Sequence, residues 1–261
     1  MNPQRRARSS LGPALFGVCL LATTYFVIFL LRVEPKQAIA GVYINLDSRN
    51  DRRDAIEKQL SLLDFPVTRI PAVDLTGDAV ELAGCWDLND TRSCAGKLGC
   101  KRSHIAALRF GLNLNVRALA VFEDDFSWLP GVEPVFIPRI VRDIDSHFPN
   151  WSVIALSANL QLYEVARPLT YVRISKENLA KVMRLHSAQT THGYIVRHQY
   201  IPTIISNFAA CDVKARYEAA IDRCWKVLQI SAEWYSFLPQ LGTQSAGFSD
   251  IEQRFVSYNI A

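Results

Sequence analysis

Glu123, Asp124 and Asp125 close an apolar run, ALAVFEDDFS at residues 118–127, and an aromatic residue follows at once. Three adjacent carboxylates repel one another, and each resists leaving water if it follows a buried strand inward. Two arrangements relieve that cost. The acids can sit at the strand's wet end, as a solvated turn or a helix cap, or they can hold a cation. Carboxylates favour hard divalent ions such as Mg2+ or Mn2+, and a site with only one or two of them leaves coordination positions for phosphate oxygens. Strand alternation places Val121, Glu123 and Asp125 on one face and Phe122 and Asp124 on the other, so at most two of the acids are expected to converge.

The elements that must carry these acids read as alternating strands and helices. GVYINL (41–46) has the pattern of a buried strand. SRNDRRDAIEKQLSLLD then predicts a helix capped at Ser48 or Asn50, with Ile56, Leu60 and Leu63 on one stripe and Arg53/Glu57 and Asp54/Lys58 spaced for pairing. VTRIPAV (67–73) completes a βαβ unit. A polar loop over 74–96 leads to a helix expected from Leu98 to about Asn113, the strand RALAVFE, a helix from Pro138 to Phe148, and the strand WSVIALS. GYIV and a helix in QYIPTIISNFAA, with Pro202 in its first turn, follow. The fold class is α/β: a mostly parallel, Rossmann-like sheet with helices on both faces. Ligands in such sheets bind beyond the carboxyl ends of the strands, where Asn45 and the three acids would lie. Arg49, Arg52 and Arg53 stand near the first helix's start, where backbone donors favour anions; Arg53 can instead pair with Glu57. Ser103 and His104 share a helix with the stripe Leu98, Ile105, Leu108 and Leu112, and either line a pocket or serve the core.

Composition narrows the partners. The net charge of +4 comes from Arg5, Arg6, Arg8 and Arg32; the remaining 25 basic residues match the 25 acidic ones, which argues against nucleic acid. Those arginines flank an uncharged run, residues 12–31, about 20 residues long and so able to span a bilayer. Three arginines before it and one after predict a cytosolic tail (1–11), a signal anchor (12–31), a short linker (32–38) and a translocated remainder. A cleaved signal peptide, with Ala38-Ile39-Ala40 as its site, is the rival. Five cysteines follow the span, so at least one is unpaired within an oxidised chain; Cys85 and Cys94 are the preferred pair, against the alternative that all are buried thiols. Asn89-Asp90-Thr91 and Asn150-Trp151-Ser152 are glycosylation acceptors if the chain is lumenal.

Four blocks in order, VYINLDSRNDRR, GCKRSH, ALAVFEDDF and FLPQLGTQSAGFSDIE, with THGYIV between the last two, resemble glycosyltransferase family 25 across nearly all of residues 41–252. The resemblance implies a GT-A-type nucleotide-binding domain over 39–261 that moves a hexose, often galactose, from a UDP-sugar with inversion. It places Mn2+ (or Mg2+) on Glu123, Asp124 and Asp125, and Asn45, Arg49, Arg52, Ser103, His104 and Asp250 around the donor. His192 is a third candidate ligand. An acceptor hydroxyl needs a carboxylate base. Asp222 in AAIDRCW is the expected base, with a helix cap as its alternative; Asp250 in SDIE is a donor or metal ligand or, with Ser249, a cap. Trp225, Trp234 and Tyr235 are either core or a stacking surface for an acceptor sugar. The acceptor, whether glycan, lipid or protein, is left open. Cellular placement follows from the span: a type II protein of the Golgi or ER, with its domain in the lumen. A silent nucleotide-sugar-binding relative is the alternative from another class, and a metal-dependent phosphodiesterase lacks the histidines it would need.

Overall fold

A computed structural model describes residues 37–75, 91–211, 220–249 and 254–257. The expected anchor at 12–31, most of the linker, Cys85, Asn89 and Asp250 lie outside the described residues. Among those described, no helix is long and apolar enough to cross a membrane.

The first strand, β1 (Gln37–Asn45), begins inside the segment read as a linker. Its side chains alternate between two cores. Ile39 and Tyr43 join Ile56 and Leu60 of α1 (Asn50–Leu60) on one face, while Val42 and Ile44 join Ala107 and Leu108 of α2 (Thr91–Leu112) on the other. An isolated helix as short as α1 is marginal in water. Burying Ile56 and Leu60 supplies about 1.5–3 kcal/mol each and fixes it in place. The expected side-chain cap does not form: Arg49 occupies the capping position without a cap hydrogen bond. Arg53 also leaves Glu57, turning to Asn45 and Asp47, and Glu57 accepts from the Tyr43 hydroxyl.

Helix α2 starts at Thr91, seven residues before the predicted start. Within it Gly99 allows a close approach of backbone, since a Cβ there would stand 2.6 Å from the Val73 carbonyl oxygen. The chain leaving β2 (Val67–Pro71) is therefore laid against the helix, and the Val73 N–H is taken by Ser103 Oγ at 2.8 Å.

Strand β3 (Val116–Glu123) lies parallel beside β1, with Ile44 opposite Glu123, so the carboxyl ends of both strands meet. The principal sheet has the order β2-β1-β3-β9-β5-β10-β8-β6, with β7 (Tyr171–Arg173) also on β8. It includes β5 (Trp151–Ala155), β6 (Asn159–Val165), β8 (Leu179–Gln189), β9 (Gly193–Arg197) and β10 (Glu233–Leu238). Seven strands share one direction, and β8 and β9 run against them, so most neighbouring pairs are antiparallel. Mostly parallel therefore holds for strand direction but not for pairing. The reversal of β9 has a consequence for the site: its amino end, not its carboxyl end, abuts the acids. Helices cover both faces as expected. α3 (Ile137–His147) packs with α1's core, and α4 (Ile201–Ala210) with α2's.

Phe126 anchors the turn after β3. It is almost fully buried, edge-on to Trp128 at 4.8 Å between centroids and 5.1 Å from Phe122. Its ring fits over Gly193 and Gly242, where an added Cβ would collide with it, at 2.5 Å in the case of Gly193. Gly193→Ala is therefore expected to cost about 1–3 kcal/mol of stability, the usual range for overpacking. Urea denaturation monitored by tryptophan fluorescence measures it; an unchanged midpoint would mean that Phe126 has room to move. β4 (Phe126–Trp128) pairs with β11 (Gly242–Gln244), which delivers Gln244 to the acidic turn.

Candidate active site

All three acids face one pocket, because the chain turns at Asp124 and Asp125 and strand alternation stops at Glu123. The expectation that only two converge is thus corrected. Each acid has a different environment. Glu123 accepts from Thr191 Oγ1 at 2.7 Å and shares a 3.2 Å hydrogen bond with His104 Nε2, while its own N–H donates to the His192 carbonyl at 2.9 Å. Burial pushes its pKa up, but the His104 and Thr191 hydrogen bonds and the nearby imidazoles outweigh that and hold it down to about 2. Asp124 accepts from Arg52 Nη1 at 2.9 Å and from Asn45 Nδ2 at 2.8 Å. Burial still raises its pKa, against the pull of Arg52.

Asp125 is the exception. Gln244 Nε2 donates to its Oδ2 at 2.9 Å and the Arg52 guanidinium stands 3.6 Å away, but Oδ1 is buried and finds no hydrogen-bond partner among the described residues. Burial first, and then the charge of Glu123, lift its pKa to about 7. A buried acceptor left unmatched costs about 1–3 kcal/mol.

Arg52 is the hinge of this arrangement, with its guanidinium set between Asp124 and Asp125 and donating to the Phe248 carbonyl at 2.6 Å. Arg52→Ala is expected to destabilise the metal-free protein by about 2–3 kcal/mol, the lower end for breaking one side of a buried ion pair because these groups keep some solvent contact. Urea titrations in chelator measure the loss, and equal midpoints for the two proteins would deny Arg52 that role.

The other expected residues divide. Asn45 is buried and lies at the centre, donating to Asp124 and to the Arg49 carbonyl and accepting from Arg69 Nε. His104 is buried between Glu123 and the Tyr194 hydroxyl, the latter 3.2 Å from Nδ1. Ser103 borders the pocket, but its hydroxyl is spent on the Val73 N–H and the Gly99 carbonyl. Arg49 pairs with Asp51 through two 3.0 Å contacts. His192 does not join the ligand set. Its Nε2 meets Ser157 Oγ at 2.7 Å, and burial lowers its pKa to about 4. Trp225, Trp234 and Tyr235 are core: the two indoles pack edge-on at 4.9 Å, and Trp225 lies against Tyr194. They offer no face to an acceptor sugar.

Asp222 is the second residue of α5 (Ile221–Cys224), with Ala220 in the capping position. Its carboxylate accepts the Thr190 N–H at 3.1 Å. Thr190 has φ of 79°, a conformation that a β-branched residue adopts only under constraint. The strained segment thus ties Asp222, through Thr190, to Glu123, through Thr191. Burial raises the Asp222 pKa, opposed by the Thr190 N–H, and Glu123's charge adds to the rise. A disulfide between Cys211 and Cys224 fastens the end of α4 to the end of α5, and spacing alone did not suggest it. Cys94 is also disulfide-bonded, to a partner outside the described residues. Thr191 and Gln244 are the contacts that sequence reasoning missed, although both fall in segments that carried the family resemblance.

The sequence pattern of glycosyltransferase family 25, described as LPS biosynthesis protein, matches residues 41–224. The chain belongs to that family and is a glycosyltransferase. No curated protein matches it by sequence. Among solved structures it is similar to a glycosyltransferase involved in glycosylation of the major capsid of PBCV-1, at 10% identity and TM-score 0.36 over 70% of this chain and 72% of that one. Mouse xyloside xylosyltransferase 1 in its apo form is similar at 9% identity and TM-score 0.36, over 74% and 68%. Both scores are too low to carry residue-level conclusions.

Proposed function

We propose that the protein is an inverting, metal-dependent hexosyltransferase with a GT-A-type domain, using a UDP-sugar, with galactose the first donor to try. The unmatched Oδ1 of Asp125 carries this reading. A buried carboxylate oxygen beside two further acids, at the joined carboxyl ends of β1 and β3, suits a hard dication that also binds phosphate oxygens. Asp125 would hold Mn2+ or Mg2+ as the principal protein ligand. Bound there, the ion would supply charge neutralisation for the departing diphosphate. Glu123 and Asp124 add to the site's negative charge, and Arg52 and Asn45 keep Asp124 in position.

The chain's own chemistry is proton removal. As the acceptor oxygen bonds to the anomeric carbon and the bond to diphosphate breaks on the opposite face, Asp222 takes the hydroxyl proton. Burial keeps this carboxylate short of solvent and raises its basicity. Anchoring through residues 12–31 in a Golgi or ER membrane, with the domain lumenal, belongs to the same proposal; the disulfides accord with an oxidising compartment.

The test is a panel of UDP-sugars with the full chain and Mn2+, scoring UDP release with and without sugar acceptors. One donor should support turnover, and chelator should abolish it. Turnover that persists undiminished in chelator would remove the metal from the reading.

A further inference from the structure

Behind the acids, on the wall formed by α2, Cys100 and His104 stand one helical turn apart on the same face, and Glu123 lies opposite them. The thiol sulfur, an imidazole nitrogen and a carboxylate oxygen all lie within 4.8 Å of one another, and all three residues border the donor pocket. Cys100 is also the free thiol among the described cysteines; Cys94, Cys211 and Cys224 are in disulfides. We infer that Cys100, His104 and Glu123 form a second metal site, selective for a soft, tetrahedral ion of the Zn2+ class, at the inner end of the pocket.

The donor set separates this site from the one at Asp125. Thiolate and imidazole suit Zn2+ and are poor ligands for Mg2+ or Mn2+, which take oxygen. Bond lengths of ~2.0–2.3 Å to the metal ask the three ligand atoms to draw in by about an ångström, within reach of side-chain rotation. Three protein ligands leave a fourth position to water. An outer shell is already in place. The Tyr194 hydroxyl meets His104 Nδ1 at 3.2 Å, and Thr191 Oγ1 donates to Glu123. Ligating histidines are commonly held in this way, through the ring nitrogen that does not touch the metal.

Binding is balanced in protons. The Cys100 thiol releases its proton to solvent as the sulfur–metal bond forms. His104 gives up to solvent the Nε2 proton that bonds Glu123 and takes one on Nδ1, where it donates to the Tyr194 oxygen; this change of tautomer is proton-neutral and frees the Nε2 lone pair. The hydrogen bond between His104 and Glu123 gives way to a bond from each to the metal. If the transferase reading holds, Zn2+ here inhibits turnover, because the ion draws Glu123 inward and occupies the wall of the donor pocket. That consequence rests on the proposed function; the binding itself does not.

The full chain is titrated with Co2+ as a spectroscopic substitute for Zn2+. The expected result is a near-ultraviolet charge-transfer band from thiolate bound to cobalt, saturating at one ion per chain and bleached by Zn2+. Cys100→Ser should lose the band and Asp125→Asn should keep it. Tyr194→Phe should weaken cobalt binding about 10–100-fold. Absence of the band from the unsubstituted protein overturns the inference, as does its survival in Cys100→Ser or an unchanged cobalt affinity in Tyr194→Phe. Because the band reports sulfur coordination, it answers independently of whether any UDP-sugar is turned over.

Discussion

Asp125→Asn is expected to lower transfer roughly a thousandfold, the scale of losing one preorganised electrostatic contact to a developing charge, while making the metal-free protein more stable. The two readouts move in opposite directions for one reason. In the metal-free site Asp125 is a buried charge close to Glu123, and one of its oxygens has no partner among the described residues. An asparagine of the same shape keeps an oxygen for the Gln244 donor and places an amide where the unmatched oxygen stood. The gain should be about 1–3 kcal/mol, the cost of an unmatched buried group.

The pH dependence has a definite sign. The folded carboxyl titrates at about 7, against an unfolded value near 4. The native state therefore holds a proton that the unfolded chain has released. The stability this proton contributes is fully present below the unfolded value and is lost as pH rises through about 7. The advantage of Asp125→Asn should accordingly be least below pH 4, grow between pH 4 and 7, and be full at pH 8, in denaturation runs with chelator present. Saturating Mn2+ should stabilise the unsubstituted protein by mass action and leave the variant unmoved. A variant that retained activity, or gained nothing at pH 8, would remove Asp125 as the metal's ligand. General misfolding cannot imitate the pattern, since it lowers both quantities.

What the sequence made legible follows from how local each cause is. The β1–α1–β2 unit was readable because alternation and a helical stripe are written in consecutive residues. The early start of α2 was not. TRSCAGKLG has glycines at 96 and 99 and no clear stripe, so its propensity is poor; the helix gains from a close approach to Val73 that only the tertiary structure reveals. The acidic triplet was visible, but the inequality among its members was not. Thr191 reaches Glu123 from 68 positions away, and Gln244 reaches Asp125 from 119. Those long-range donors give each carboxylate its own environment. The direction of β9 was hidden for a related reason: nothing in GYIV says which way it runs, yet its reversal brings Thr191 and His192 to the site. Type and spacing located the acids; only the sheet's topology assigns them separate tasks.

Asp222→Asn separates the candidate base from its structural duty. In the native protein the carboxylate accepts the N–H of Thr190 and so supports a strained backbone. Asparagine retains a carbonyl oxygen for that hydrogen bond and should leave the segment, and with it Thr191 and Glu123, in place. What it loses is the capacity to take a proton. If Asp222 is the base, transfer falls by about 10²–10⁴-fold, while donor affinity in Mn2+, measured by calorimetry, stays close to that of the unsubstituted protein. The pH profile supplies a second readout. A base must be deprotonated to act, and burial has moved Asp222 upward from the ordinary carboxylate range. The acid limb of kcat/KM should therefore lie above that range and disappear from the residual activity of the variant. Asp222→Ala removes both the proton acceptor and the support for Thr190, so it should weaken donor binding as well. Full transfer in Asp222→Asn combined with impaired donor binding in Asp222→Ala would confine Asp222 to holding the loop, and the proton would then have to leave by another group.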